Sequence, residues 1–273
     1  METKYVFIDI DGTLLSHEIG IPKSAMEALE KAKKNGHKLF INTGRVQSAV
    51  DDHLLAMDFD GFIFAAGGHI VVGEETLAEI VLTSQQLNHL FDVLNLQDVG
   101  IVWEGPEKSF YNRLALRYFR DRLDRKSDLP PQVQRHLVQE NMVSPLSELD
   151  LETDKINKVS VFFQTLEQLH NLQAALPEEY FLIAYENNLS GEIIQRDIHK
   201  FSAVEKVLNY FEADVSQAMA LGDSMNDYEM VKYSGIGIAM GNGDERLKAV
   251  ADYTTFSVND KGFYHAFKRY ELI

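Results

Sequence analysis

Hydrophobic and polar positions follow two rhythms along this chain. Tyr5 to Ile10 is a short β-branched and aromatic run that stops at Asp11-Gly12, the pattern of a buried strand ending in a sharp turn. From Ser24 to Lys34 the apolar positions Met26, Leu29 and Ala32 recur at helical spacing, Gly36 follows as a stop, and Lys38 to Asn42 resumes a strand. Strand, helix, strand predicts a parallel sheet with a right-handed crossover, and such sheets bind ligands at the carboxyl ends of their strands. The alternation returns late, with a helix from Phe201 to Phe211, a strand from Met219 to Leu221, a helix from Asp227 to Tyr233, a strand from Gly235 to Met240 and a short closing helix.

Between these halves the order is mixed. Strands are predicted at Gly100 to Trp103, Val159 to Phe163 and Phe181 to Tyr185, and helices at Gln85 to Leu94, Asn112 to Leu123 and Leu166 to Leu176. This reads as an inserted α+β domain. The stretch from Asp124 to Asp154 is polar and carries Pro130, Pro131 and Pro145; a short helix is placed there at Val133 to Gln139.

Composition narrows the picture. At 273 residues, 45% of them hydrophobic, the chain can bury a full core and divide into two domains. The 26 basic residues against 42 acidic give a net charge of −16, which repels nucleic acid and anionic membranes, and no basic run overrides it. With no cysteine, a metal would sit on oxygen or histidine ligands. The absence of a leader pattern and of any long apolar run makes a cytoplasmic protein, not a membrane-bound one, the expectation.

Four segments carry candidate chemistry. Asp9 and Asp11 stand two apart at a strand tip, where alternate residues project to one side, so that two mutually repelling carboxylates can converge on a cation; Gly12 allows a tight turn and a main-chain oxygen ligand. A solvated Asp-Gly turn explains the same residues. Leu221-Gly222-Asp223-Ser224-Met225-Asn226-Asp227 again places acids after a short strand and before a helix: Asp223 can ligate a hard cation, while Asn226 and Asp227 can orient the loop or simply cap the helix. Ile41-Asn42-Thr43-Gly44-Arg45 ends a strand in a hydroxyl and a glycine, suited to an anion or to an ordinary helix cap. Lys200, at the opening of a helix, sits at the unfavourable positive end of the helix dipole, which points to an anionic partner, although a solvated lysine is the commoner case.

Taken in this order, the segments resemble the four motifs of the haloacid dehalogenase-like hydrolases: Asp9-Ile10-Asp11-Gly12-Thr13, Thr43, Lys200 and Gly222-Asp223-Ser224-Met225-Asn226-Asp227. The insertion between Thr43 and Lys200, with Ile236-Gly237-Ile238-Ala239-Met240-Gly241-Asn242-Gly243, is similar to the Cof-type subfamily, whose α+β lid is called a type IIB cap. The resemblance implies an α/β, Rossmann-like core with its parallel sheet flanked by helices, formed by residues 1–83 and 189–273, and a cap over 84–188. It departs from the family at Phe201, where glycine is frequent, at Ala66-Gly67-Gly68, where Asn-Gly-Ala is common, and at Gly243, where alanine is frequent.

The same resemblance implies a phosphate-monoester hydrolase. Asp9 attacks phosphorus, and Asp11 protonates the leaving oxygen and then activates water. Mg2+, with Mn2+ as a substitute, is held by Asp9, Asp11 through its carbonyl, and Asp223. Thr43, Gly44, Lys200 and Asn226 bind phosphate, supported by Gly12, Thr13 and Asp227. The implied partner is a small-molecule phosphate, such as a sugar phosphate or phosphorylated cofactor, acted on by a monomer or weak homodimer. Two alternatives stay open: a phosphomutase acting on sugar phosphates, and a non-catalytic phosphate- and metal-binding regulatory module. Trp103, Tyr111, Arg113 and Arg117 are candidates for ligand contact in the insertion, against the commoner reading of such aromatics as core.

Overall fold

The computed structural model describes residues 2–124 and 143–273. The helix placed at Val133 to Gln139 lies outside the described residues. The chain forms two compact units, one of Met1–Gly44, Met57–Glu79 and Ile198–Ile273, the other of Arg45–Ala56 and Ile80–Asp197.

The first unit is built on an eight-stranded sheet. Its strands are β1 (Tyr5–Ile8), β2 (Lys38–Asn42), β3 (Gly61–Phe64), β4 (His69–Val72), β5 (Glu75–Glu79) and, after the insertion, β12 (Ala218–Gly222), β13 (Ile236–Ala239) and β14 (Tyr253–Thr254). They lie in the order β14-β13-β12-β1-β2-β3-β4-β5. Neighbours from β14 to β3 run parallel, and β4 and β5 fold back antiparallel. The strands are continuous apolar runs because helices cover the sheet: Phe7, Phe40 and Ala220 pack on Val204 and Val207 of the helix Lys200–Tyr210. Phe7 and Phe40 stack with ring centroids 5.2 Å apart.

Strand β1 lies between β2 and β12, so the chain leaves it in one direction at the start and returns on its other side after the insertion. That reversal opens a crevice at the carboxyl ends of these strands, the place where open parallel sheets bind ligands. Ile8 pairs with Ile41 on one side and Leu221 on the other, which brings the next residues of all three strands to the same edge.

The second unit has a six-stranded sheet of β6 (Gly100–Glu104), β7 (Ser109–Tyr111), β8 (Val143–Pro145), β9 (Lys158–Phe162), β10 (Tyr180–Tyr185) and β11 (Ser190–Gln195), in the order β10-β11-β9-β6-β7-β8. Alternation sorts its faces. Ile101, Trp103, Val159, Val161 and Ile193 pack with leucines of the helices Ser84–Asn95 and Leu166–Ala175. Both helices start at a capping box, Thr83 with Gln86 and Thr165 with Gln168. On the opposite face Val102 and Tyr111 pack with Ala115 and Phe119 of the helix Arg113–Asp124.

Several expectations change here. The core does not resume at residue 189, because β11 pairs antiparallel with both β10 and β9; Ile198 begins the return to the first unit. Trp103 and Tyr111 are core side chains, at 0% and 7% exposure, while Arg113 and Arg117 lie on the exposed side of their helix. β1 ends at Ile8, two residues earlier than its apolar run, because Leu14 and Leu15 turn back to bond the Ile10 carbonyl.

Candidate active site

The first unit brings four predicted segments to one edge of its sheet. Asp9 follows β1 and extends its ladder by one bond, donating its N–H to the Leu221 carbonyl at 3.1 Å. Thr43 follows β2 and Asp223 follows β12. Asp11 does not share a strand face with Asp9, since the chain has turned by then; it reaches the same site from the loop, where its charge acts on both Asp9 and Asp223.

Lys200 stands at the centre. It is 1% exposed, and its Nζ lies 2.6 Å from Asp9 Oδ1 and 2.6 Å from Asp227 Oδ1. An ammonium in the first turn of a helix opposes the helix dipole, and its burial adds a desolvation cost. Burial would lower its pKa; the charges of Asp227 and Asp9 outweigh that and hold the ammonium above the ordinary lysine range. The helix start is fixed by His199, whose Nδ1 accepts the Ser202 N–H at 3.2 Å. Asn42, fully buried at the end of β2, donates to the Lys200 carbonyl at 3.0 Å.

Asp227 uses both carboxylate oxygens. While Oδ1 meets Lys200, Oδ2 accepts the N–H groups of Asp223 and Ser224, each at 3.0 Å. One carboxylate thus anchors the lysine and shapes the loop that presents Asp223. Gly222 makes room for it, since a Cβ there would fall 2.4 Å from Asp227 Cγ. Gly12 is equally constrained: its φ is +79°, and a Cβ would stand 2.2 Å from Asp223 Oδ2.

Charge decides what the cluster can accept. Among the described residues, four carboxylates, Asp9, Asp11, Asp223 and Asp227, act on one another around the ammonium of Lys200. Burial is the main cause that raises Asp9 from 3.8 to about 7, with Asp227 and Asp11 adding to it against the pull of Lys200. Burial, then Asp9 and Asp227, raise Asp223 to about 9. Such acids take up protons or a cation. Asp9, Asp223 and Asp227 each offer an oxygen within 4.8 Å of the others, and this all-oxygen donor set suits a hard divalent ion. Because Asp227 is already engaged, Asp9 and Asp223 are the carboxylates that fit that task.

The remaining predicted residues fall as follows. Thr43 is buried and donates its N–H to the Ile63 carbonyl at 2.9 Å; it caps no helix, because the next helical element is the 3-10 turn Gln47–Ala49, which follows Val46. Gly44 is buried beside it. Asn226 lies in the 3-10 turn Met225–Asp227 and accepts the Ser224 hydroxyl at 2.7 Å through Oδ1. Thr13 is buried within the loop, its N–H bonded to the Ile10 carbonyl. Phe201 turns to Tyr233, ring centroids 5.5 Å apart. Ala66 adopts φ +55° and donates its N–H to the Thr43 carbonyl at 2.9 Å. Sequence reasoning missed Asn42 and Asn242 as structural parts of the site; both stood inside quoted motifs, yet a side-chain amide gives no sign of which distant backbone it will bond.

Comparison with known proteins agrees with this architecture. The sequence model of the haloacid dehalogenase-like hydrolase family matches residues 6–267. YkrA of Bacillus subtilis (strain 168) is 26% identical over 274 residues, covering 100% of both chains. The 5-amino-6-(5-phospho-D-ribitylamino)uracil phosphatase YcsE of the same organism is 24% identical over 275 residues, covering 100% of this chain and 97% of its own. Among solved structures, BT1666 from Bacteroides thetaiotaomicron, described among the phosphatases of the haloalkanoate enzyme superfamily, is 27% identical with a TM-score of 0.80 over 99% of this chain and 96% of that one.

Proposed function

The chain belongs to the haloacid dehalogenase-like hydrolase family, and on that premise we propose that it is a magnesium-dependent phosphatase of small-molecule phosphate monoesters, acting through a phosphorylated Asp9. The observation that carries this reading is the placement of Asp9: buried at the central strand tip, 2.6 Å from Lys200 and within reach of the charges of Asp11 and Asp227.

A carboxylate oxygen of Asp9 forms the bond to phosphorus while the bond from phosphorus to the leaving oxygen breaks, and Asp11 gives that oxygen a proton. Asp11 then takes a proton from water, whose oxygen attacks phosphorus and frees Asp9. Lys200 and the Thr43 hydroxyl hold phosphoryl oxygens, Gly44 and Asn226 line the same edge, and Asp227 keeps Lys200 in place. Mg2+, or Mn2+ in its stead, bound by Asp9, Asp223 and the Asp11 carbonyl, supplies charge neutralisation where an anionic nucleophile meets an anionic substrate. Uncatalysed monoester hydrolysis is slow enough that enzymes accelerate it by up to about 10²¹-fold, so neutralisation and proton transfer are both required.

The phosphate on a ribityl chain that YcsE is named for supports a polyol or sugar phosphate as the substrate class, and the net charge of −16 disfavours a polyanionic substrate. The test is phosphate release from a panel of sugar and cofactor phosphates with Mg2+. Release that stops on chelation and returns with Mg2+ is the expected result. No release from any member rejects the phosphatase reading, and isomerised sugar phosphate without free phosphate replaces it with a mutase.

A further inference from the structure

The turn that carries Asp11 hinges on Gly12, whose φ of +79° lies where a glycine can rotate at little cost. Hydrogen bonds on both sides of the hinge remove that freedom. The Gly12 N–H donates to the Leu15 carbonyl at 2.9 Å, fixing the peptide that contains the Asp11 carbonyl. On the other side the side-chain amide of Asn242 donates to the Gly12 carbonyl at 2.9 Å, while Oδ1 of the same amide accepts the Val258 N–H at 2.8 Å. Asn242 is itself exposed, so its own side-chain amide does not depend on these partners to be satisfied. Its own segment runs along the Asp223 loop, with the Asp244 N–H bonded to the Asp223 carbonyl at 2.8 Å and a Gly243 whose Cβ would stand 2.8 Å from that carbonyl. Asn242 therefore ties the turn bearing Asp11 to the loop bearing Asp223.

We infer that Asn242 is a positioning residue for Asp11, acting through the Gly12 carbonyl. The inference rests on the acid role proposed for Asp11. Proton transfer needs the donor within hydrogen-bond reach of the leaving oxygen, and a small swing of the turn takes it out of reach. The residue touches neither phosphate nor cation in this role; its effect appears only in the step that Asp11 performs.

Asn242→Asp keeps the shape and an acceptor for Val258 but faces the Gly12 carbonyl with a second acceptor; Asn242→Ala removes both bonds. Both are compared with Asp11→Asn and with Asp11→Asn/Asn242→Asp, using phenyl phosphate and p-nitrophenyl phosphate at saturating Mg2+, with thermal melting to verify folding. Phenolate is the poorer leaving group and needs the proton more. The expected result is a kcat/KM, which reports only the steps up to leaving-group departure, about tenfold lower on phenyl phosphate with less than about threefold loss on p-nitrophenyl phosphate for either single Asn242 variant, and no added loss in the double variant. Equal losses on the two substrates, or none, in whichever Asn242 variant folds overturns the inference, as does an additive double variant. If Asp11→Asn itself loses equally on both, the acid role fails and the inference falls with it; a selective Asp11→Asn beside an unselective Asn242→Asp rejects the role of Asn242 alone.

Discussion

The Lys200 ammonium meets the Asp227 carboxylate at 2.6 Å with neither side chain exposed to solvent. Removing one partner of a buried pair leaves a charge without its counterpart, at a cost of about 3–5 kcal/mol. Asp227→Asn is predicted to lose stability near the lower end of that range, because Lys200 keeps Asp9, and to lose activity because Lys200 then closes on the nucleophile alone. Urea denaturation and turnover measured on the same preparation check both parts.

Gly12→Ala is predicted to damage the site more than the fold. The added Cβ must displace the Asp223 carboxylate, 2.2 Å away, and the backbone stays in the left-handed region that disfavours alanine. Turnover should fall by at least about tenfold and Mg2+ should bind more weakly, while the melting transition stays cooperative. Unchanged Mg2+ affinity by calorimetry counts against this placement of Asp223.

In chelator, stability should fall as pH rises. Asp9 and Asp223 are raised from 3.8 to about 7 and about 9, so above about pH 4 the folded chain keeps protons that the unfolded chain has released. Their contribution is fully present below the unfolded value and is lost as pH climbs through 7 and 9. Melting temperatures between pH 5 and pH 9 should therefore decline more steeply for the unaltered protein than for Asp223→Asn; equal slopes argue against the raised carboxyl.

Cation binding should release protons for the same reason, since a ligating carboxylate must be ionised. Mg2+ affinity is predicted to rise with pH between about 6 and 9, and calorimetry in buffers of different ionisation enthalpy should show proton release near neutrality. A pH-independent affinity contradicts the picture of acids that hold protons until a cation arrives.

The sequence made the first unit legible where its strands are continuous apolar runs. Val6, Phe7 and Ile8 are fully buried, and such runs are written for a covered parallel sheet. Strand β5 escaped notice because Glu75–Glu79 is largely polar and exposed, β11 because Ser190, Gly191 and Glu192 dilute its pattern, and β3 and β4, though apolar, because runs as short as Gly61–Phe64 and His69–Val72 do not separate strand from helix by pattern alone. In the site, Asp9, Lys200 and Asp223 could be singled out as acids and a lysine at element ends. Their pairing could not: the contact of Lys200 with Asp9 spans 191 residues of sequence, and that of Asn242 with Gly12 spans 230. The strand-alternation argument for Asp11 failed because the chain leaves β1 at Ile8, and the alternative of a helix cap at Thr43 falls away because the next helical element, Gln47–Ala49, begins only after Val46.

The central claim is that Asp9 is the group that receives the phosphoryl. Asp9→Asn keeps the volume and a polar contact for Lys200 while removing the nucleophilic carboxylate, and phosphate release from the best substrate of the panel, measured with Mg2+ on a variant shown to be folded by circular dichroism, tests it most directly. The account predicts that release falls to the background rate; turnover within about twofold of the unaltered protein contradicts it.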